Sequence, residues 1–410
     1  MVAALRCAVL LLAPFLGHAQ KFYTYVGRIG TDSVLLAWGT TGGSGNTIGR
    51  ISTSHGKAEV KIGDRVASSD ENWVVVCGLR PDTEYPYEVV LGGKRIAASK
   101  VRTYPERSTK LAFFVIGDWG TGKPPQYQVA AAMWAEFEKR SGSDNPVRFV
   151  LTTGDNLYGD RILGIFLTRS GDADRHWGPK FFEPYERLLA RVPFHPSLGN
   201  HDGEESEARG DLRVYLDNFF FPAEPPARYY RFSFGGLAEF FALDSTDNRL
   251  DDSTLPVYSE AGPQFRWLRD SLAASRAAWK IPYFHHPPFN AGPRHGASLD
   301  SLRHFVDLFR RTGVKAVFNG HEHNFQFSKQ DSGSGGIRFV VSGAGGELRT
   351  KDVSSKMEKA GIAGWAPQRH FLLVEIEERT MKITPLGPER VIVTDKDRQQ
   401  IKMPLEVSLP

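Results

Sequence analysis

Cysteine is almost absent from this chain of 410 residues, which holds only Cys7 and Cys77. Cys7 falls inside an amino-terminal stretch expected to be removed, so no internal disulfide can hold the remainder together. Charge of one sign is also scarce. The 51 basic and 47 acidic residues are interspersed and leave a formal net charge of +4, far from the footprint of a nucleic-acid binder. Beyond the amino terminus no apolar run is long enough to span a bilayer. The chain has no internal repeat and no low-complexity tract. It has neither a glycine-rich P-loop nor a GxSxG elbow, so a covalent mechanism has no visible residue. What is plentiful is glycine, at 41, and proline, at 25, in an ordinary balance of 41% hydrophobic and 24% charged residues. That balance excludes wholesale disorder, and the length predicts roughly two to three domains.

The amino terminus reads MVAALRCAVLLLAPFLGHAQ. Arg6 precedes the apolar run Ala8 to Leu16, and Gly17-His18-Ala19 follows, small at the two positions a signal peptidase reads. This predicts a secretory signal over residues 1–19, too short and poorly flanked for a transmembrane span. The expected product is exported, secreted or periplasmic, and soluble.

Residues 21–104 carry short alternating segments such as Ser33–Trp38 and Trp73–Val76, separated by Gly, Asp and Pro clusters. Strands at that spacing predict a small antiparallel sandwich. Trp38 in an early strand, with the corner Leu79, Pro81, Thr83 and Tyr85, resembles a fibronectin type III module. Cys77 is expected to be a buried small apolar residue, and the segment shows no chemistry of its own.

From Lys110 onward the pattern changes. Branched apolar runs recur at Leu111–Ile116, Val147–Thr152, Trp279–Phe284, Val314–Phe318 and Phe339–Val341. Between them lie helical stretches: Gln126–Lys139 after Pro124-Pro125, Phe265/Leu268/Leu272 after Pro263, and Leu302/Phe305/Phe309 ending at Gly313. The tail segments Phe371–Glu377 and Met381–Thr384 read as strands completing a sheet. The alternation predicts a layered α/β region over 105–410.

The chemistry stands at the ends of these runs. They are followed in turn by Gly117-Asp118-Trp119-Gly120, Gly154-Asp155-Asn156-Leu157-Tyr158, Gly199-Asn200-His201-Asp202, His285-His286-Pro287-Pro288 and Gly320-His321-Glu322-His323. Carboxyl ends of strands are where open α/β sheets place ligands. Oxygen and imidazole donors without thiolate suit iron, zinc or manganese. His321 and His323 are two apart and point the same way on an extended segment, able to grip two adjacent ions.

This ordered series resembles the five-motif signature of the dinuclear metallophosphoesterases and, through Tyr158 three residues after Asp155, the purple acid phosphatases in particular. The resemblance covers about residues 110–345. GDWG, GHEHN and SGAGG at Ser342–Gly346 lean towards the smaller, mammalian-type branch, which typically lacks an amino-terminal sandwich. The resemblance implies a β-sandwich flanked by helices in αββα layers, preceded by the small all-β module. It also implies a phosphatase of phosphate monoesters working by direct attack of a metal-bound hydroxide. Asp118, Tyr158 and His323 would bind a ferric ion, Asp155 would bridge, and Asn200, His285 and His321 would complete a second, divalent site holding Fe, Zn or Mn. His201 and His295 match outer histidines that contact phosphate and assist the leaving group. His286 is a rival for His285, whose His-x-Pro spacing to Asn290 is the better match.

Three alternatives stay open at the level of sequence. The same ligands suit a phosphodiesterase or nucleotide pyrophosphatase. A surface-binding protein with a decayed site is another reading, opposed by the presence of all seven candidate ligands. In the third, Tyr158 is merely packed and the site holds two divalent ions. The long loops Gly159–Lys180 and Gly203–Arg228 bring Asp160, Arg161, Arg169, Asp172, Asp174, Arg175, Glu204, Glu205 and Glu207 towards the mouth. Small phosphate esters are the expected partners, with no nucleic acid.

Overall fold

A computed structural model describes residues 21–41, 54–162, 165–166, 177–203, 212–220, 227–247 and 255–410. The export signal at 1–19 with Cys7, and the loop residues Arg169, Asp172, Asp174, Arg175, Glu204, Glu205 and Glu207, lie outside the described residues.

Among the described residues, seven strands of the amino-terminal part form two antiparallel sheets. One has three strands, Phe22–Ile29, Ser33–Thr40 and Trp73–Cys77. The other has four, in the order Arg65–Ser69, Ala58–Ile62, Glu84–Leu91 and Lys94–Arg102. Alternate residues such as Val60 and Ile62 point inward and are buried, as is Trp38. The corner is formed as its residues suggest: the Arg80 backbone N–H donates to the Tyr85 hydroxyl at 2.9 Å. Cys77 departs from expectation and is exposed. It ends a strand at the edge of its sheet, and because Val76 before it is buried, the two-residue period turns Cys77 to the other face.

Two larger sheets follow among the described residues, beside a short antiparallel pairing of Arg161–Ile162 with Ile165–Phe166. The first runs Phe194–Ser197, Val147–Thr153, Lys110–Ile116, Phe371–Glu377, Thr380–Leu386 and Leu405–Ser408. Its first three strands are parallel and its last three antiparallel. The second sheet has seven strands, with Ala238–Ala242, Trp279–Tyr283, Ala316–Asn319 and Arg338–Ser342 side by side and parallel. Aromatic rings bridge the sheets. Phe113 and Phe149 of the first meet Phe240 of the second, with centroids 5.3 and 5.1 Å away.

Helices cover the outer faces. Pro263–Ala274 and Leu299–Arg311 bury Phe265, Leu268, Leu302, Phe305 and Phe309 in a core shared with Phe284, Val317 and Phe339 of the second sheet. Helix Pro124–Arg140 buries Val129, Met133 and Phe137 in the core of the first. Its prolines occupy the first turn, where a missing N–H is harmless. The layers are therefore helix, sheet, sheet, helix.

The two parts are packed together. Arg148 of the first large sheet is buried and donates to the Thr103 carbonyl at 2.6 Å while facing Asp82 at 3.1 Å. The Tyr87 hydroxyl donates to the Ala190 carbonyl at 2.8 Å, and Tyr25 meets Phe181 and Phe220 edge-on.

Candidate metal centre

The parallel strands deliver their carboxyl ends to one edge of the layers. Asp118 stands two residues after Ile116, Asp155 two after Thr153, Asn200 three after Ser197, His285 two after Tyr283, and His321 two after Asn319. Three of these residues have left-handed backbone, with φ of 55° at Asp118, 49° at Asp155 and 71° at His321. Non-glycine residues rarely adopt that conformation, and it is held only where surrounding structure over-determines it. The neighbouring glycines let the strand ends close in. A Cβ on Gly320 would sit 2.6 Å from the Thr153 carbonyl and 2.7 Å from Asp118 Oδ2. One on Gly199 would fall on the Asp155 carboxylate and backbone nitrogen.

The donors gather in two clusters. In the first, the Tyr158 hydroxyl lies 3.2 Å from each of Asp118 Oδ1, Asp155 Oδ2 and His323 Nε2. His323 Nε2 is in turn 3.3 Å from Asp118 Oδ1. In the second, Asn200 Oδ1 lies 3.0 Å from both His285 Nε2 and His321 Nδ1, and these two nitrogens are 3.1 Å apart. Asp155 belongs to both, because its other oxygen, Oδ1, is 3.3 Å from His285 Nε2.

This crowding is a fit test for cations. One phenolic proton cannot serve two carboxylates and an imidazole at once. His285 donates from Nδ1 to the Thr153 carbonyl at 2.8 Å, which turns Nε2 towards the amide oxygen of Asn200 and the Asp155 carboxylate. Lone pairs aimed at one another in a buried space call for positive charge between them.

The titration behaviour agrees. Burial and the Asp118 and Asp155 carboxylates push the Tyr158 phenol well above its ordinary range, so it needs a cation to ionise. Burial works against the charged His285 ring, yet Asp155 carries its pKa up to about 9. Asp155 is resisted by burial but held well below the usual carboxylate range by His285 and His201. Burial, with the neighbouring His285, His286 and His295, pushes His321 down.

Residues 111–325 match the family described as calcineurin-like phosphoesterase. The chain belongs to that family. Among its homologues, purple acid phosphatase 17 of Arabidopsis thaliana is 30% identical over 266 residues, covering 60% of this chain and 71% of the relative. Tartrate-resistant acid phosphatase type 5 of Sus scrofa is 27% identical over 295 residues, covering 67% and 79%. The solved structure of the purple acid phosphatase PPD1 from yellow lupin (Lupinus luteus) seeds superposes with a TM-score of 0.67 at 14% identity. It covers 95% of this chain and 74% of that one, a likeness of fold.

Around the clusters of this phosphoesterase lie residues whose parts differ. His201 donates its backbone N–H to Asp155 Oδ1 at 2.9 Å, and its ring packs 4.6 Å from that of Tyr158. The His295 ring sits 4.0 Å from the His321 ring. His286 is the rival named above. Its Nδ1 is engaged by the Ser245 hydroxyl at 3.0 Å, though its ring is 4.5 Å from that of His321 and it joins His285 and His321 as a possible metal-holding group.

Asp202 and Glu322 stand inside two of the motifs with no role visible in the sequence. The buried Asp202 carboxylate accepts the backbone N–H groups of Asn156, Leu157 and Gly199, each within 3.1 Å, and so ties the second and third motifs together. Buried Glu322 accepts the His295 N–H at 3.0 Å and pairs with Arg349 at 3.1 Å. A carboxylate inside a metal motif that is not itself a ligand is the signal that would have found both. A cavity of about 650 Å³ opens over the clusters, lined among others by Lys123, Asp160, His201, Arg294, His295, Glu347 and Arg349.

Proposed function

We propose that this metallophosphoesterase hydrolyses small phosphate monoesters in the manner of the purple acid phosphatases, as an exported protein. Asp118, Tyr158 and His323 would hold a ferric ion, Asn200, His285 and His321 would hold a divalent iron, zinc or manganese, and Asp155 would be shared by both. The observation that carries this reading is the sharing of Asp155, one oxygen per cluster, between a carboxylate–phenol–imidazole group and an amide–imidazole group. The first group is the more anionic and suits the higher charge; neutral Asn200 keeps the second from being over-neutralised. His285 is favoured over His286 because its Nε2 faces both Asn200 and His321.

Such a pair would supply Lewis acidity towards a phosphoryl group and a water. The chain's own residues do the rest. Thr153 fixes the His285 tautomer through its carbonyl, and Glu322 sets the backbone of His295. The His201 and His295 rings stand on the cavity wall, where they contact phosphate and assist the departing alcohol. Residues 21–104 act as a separate module without chemistry, and 105–410 carry the reaction. Export rests on the charge–apolar–small pattern of residues 1–19. Among the described residues no helix is long and apolar enough to cross a membrane.

Metal content and the visible spectrum of aerobically purified protein test the site. About two ions per chain and a visible ferric–phenolate band are expected, and Tyr158→Phe bleaches the band. A colourless protein, or an unchanged band in that variant, removes Tyr158 from the ligands. Turnover of p-nitrophenyl phosphate should exceed that of its bis ester; the reverse order makes the protein a diesterase. Secreted material should begin near Gln20.

A further inference from the structure

Charge on the cavity wall is unevenly paired. Lys123 Nζ lies 3.3 Å from Glu347, and Lys180 is 3.3 Å from Asp160. Arg349 spends its charge on buried Glu322 at 3.1 Å. Those pairs engage both lining carboxylates outside the metal clusters, Asp160 and Glu347. Arg294 is different. It lines the same cavity, is exposed, and makes no hydrogen bond or ion pair with any other described residue.

The backbone that presents Arg294 is fixed on both sides. Asn290 Nδ2 donates to the carbonyls of His295 and Gly296, each at 3.2 Å. Asn290 Oδ1 accepts the Gly292 N–H at 2.7 Å and Gln326 Nε2 at 3.0 Å. The His295 N–H is held by Glu322 at 3.0 Å. A guanidinium is thus carried on a braced loop, one residue from the histidine placed beside the departing alcohol. Its planar fork of donors matches the oxygens of a carboxylate or a phosphate.

We propose that Arg294 determines specificity by binding a second anionic group on the leaving-group side of the substrate. The preferred substrates are then phosphate esters whose alcohol carries a carboxylate or a further phosphate. This rests on the phosphatase reading above and deepens it. Arg294 needs no part in the chemistry at phosphorus, so esters with a neutral alcohol are turned over without it.

The test uses the full, metal-loaded chain and three matched substrates: phenyl phosphate, 4-carboxyphenyl phosphate and benzene-1,4-diyl bisphosphate. Arg294→Ala should lower kcat/KM about three- to fivefold on the charged esters and less than about twofold on phenyl phosphate. The larger loss identifies which anion the site takes. Arg294→Lys, which keeps charge but not the fork, should recover part of the difference, and raising the salt should shrink the wild-type preference. Calorimetric binding of 4-carboxyphenylphosphonate against phenylphosphonate reads the same contrast without turnover. Equal losses on all three substrates, or none, would overturn the role of Arg294. A loaded wild-type protein that leaves phenyl phosphate intact fails differently, since that outcome defeats the phosphatase reading itself.

Discussion

The amino-terminal sandwich and the layered region behind it are built from the same material, strands rich in branched and aromatic residues, yet among the described residues only the layered region assembles donor groups. In the sandwich every strand pair is antiparallel, so strand ends leave in opposite directions and join through tight turns such as Gly92-Gly93. In the layered region parallel strands from two facing sheets end on one edge, and their next residues meet. Strained backbone follows that division only in part, since Leu212, Glu378 and Arg398 of the layered region are left-handed without being candidate ligands. The sandwich has Asp82 at φ 46°, where it serves a corner and pairs with Arg102 and Arg148. The layered region places three candidate ligands in that conformation. Strand direction, rather than composition, decides where chemistry can gather.

The comparison breaks most severely at Asp155. Replacing it by Asn removes the charge that both clusters share. Asp155→Asn is expected to lose both metals and more activity than the ~10–100-fold that removing an outer partner costs. Metal analysis with an activity assay checks this. Retention of both ions would show that the carboxylate does not bridge.

A smaller effect is expected at the seam. Arg148→Ala leaves the Thr103 carbonyl unpartnered in a buried place and Asp82 with one cation fewer. It should cost about 2 kcal/mol. Calorimetry sharpens the contrast between the regions: a single transition shifted downward means that sandwich and layers unfold together, whereas two separated transitions mean the sandwich is an independent appendage.

The smallest effect concerns acid. His195 is wedged between Phe149 and Phe232, buried, with neither ring nitrogen hydrogen-bonded among the described residues. Burial lowers its pKa to about 3, and the same cause lowers His370 to about 4. The unfolded chain takes up a proton at each ring below an ordinary pKa of about 6.5, while the folded chain does not. Stability from these groups is complete above about pH 6.5 and is lost as pH falls towards 3 to 4. His195→Leu should therefore flatten the acid limb of a denaturation series and change stability at pH 7 by about 1 kcal/mol or less. An acid limb identical to that of the unmodified protein would show that His195 already titrates in the fold.

Much of this was legible because it is local. The proline pair that opens helix Pro124–Arg140, the glycine after helix Leu299–Arg311 and the Tyr85 corner are written in neighbouring residues, and each is present in the fold. The candidate ligands were legible for a related reason: one polar donor beside glycine is usually a turn, but five of them at the ends of successive apolar runs form a pattern. Cys77 was misread because one residue of register turns a side chain to the opposite face, and composition does not fix register. Asp202, Glu322 and Arg349 carried no visible role because their partners lie in other motifs or beyond them.

The amino-acid order alone determined which donors stand at which strand ends, since periodicity and turn chemistry act over a few residues. Only the tertiary structure decided that the two oxygens of Asp155 face different clusters, that Glu322 braces the His295 loop, and that Arg294 is left without a partner among the described residues. Those facts depend on how two sheets pack, and packing joins residues that are far apart in the chain.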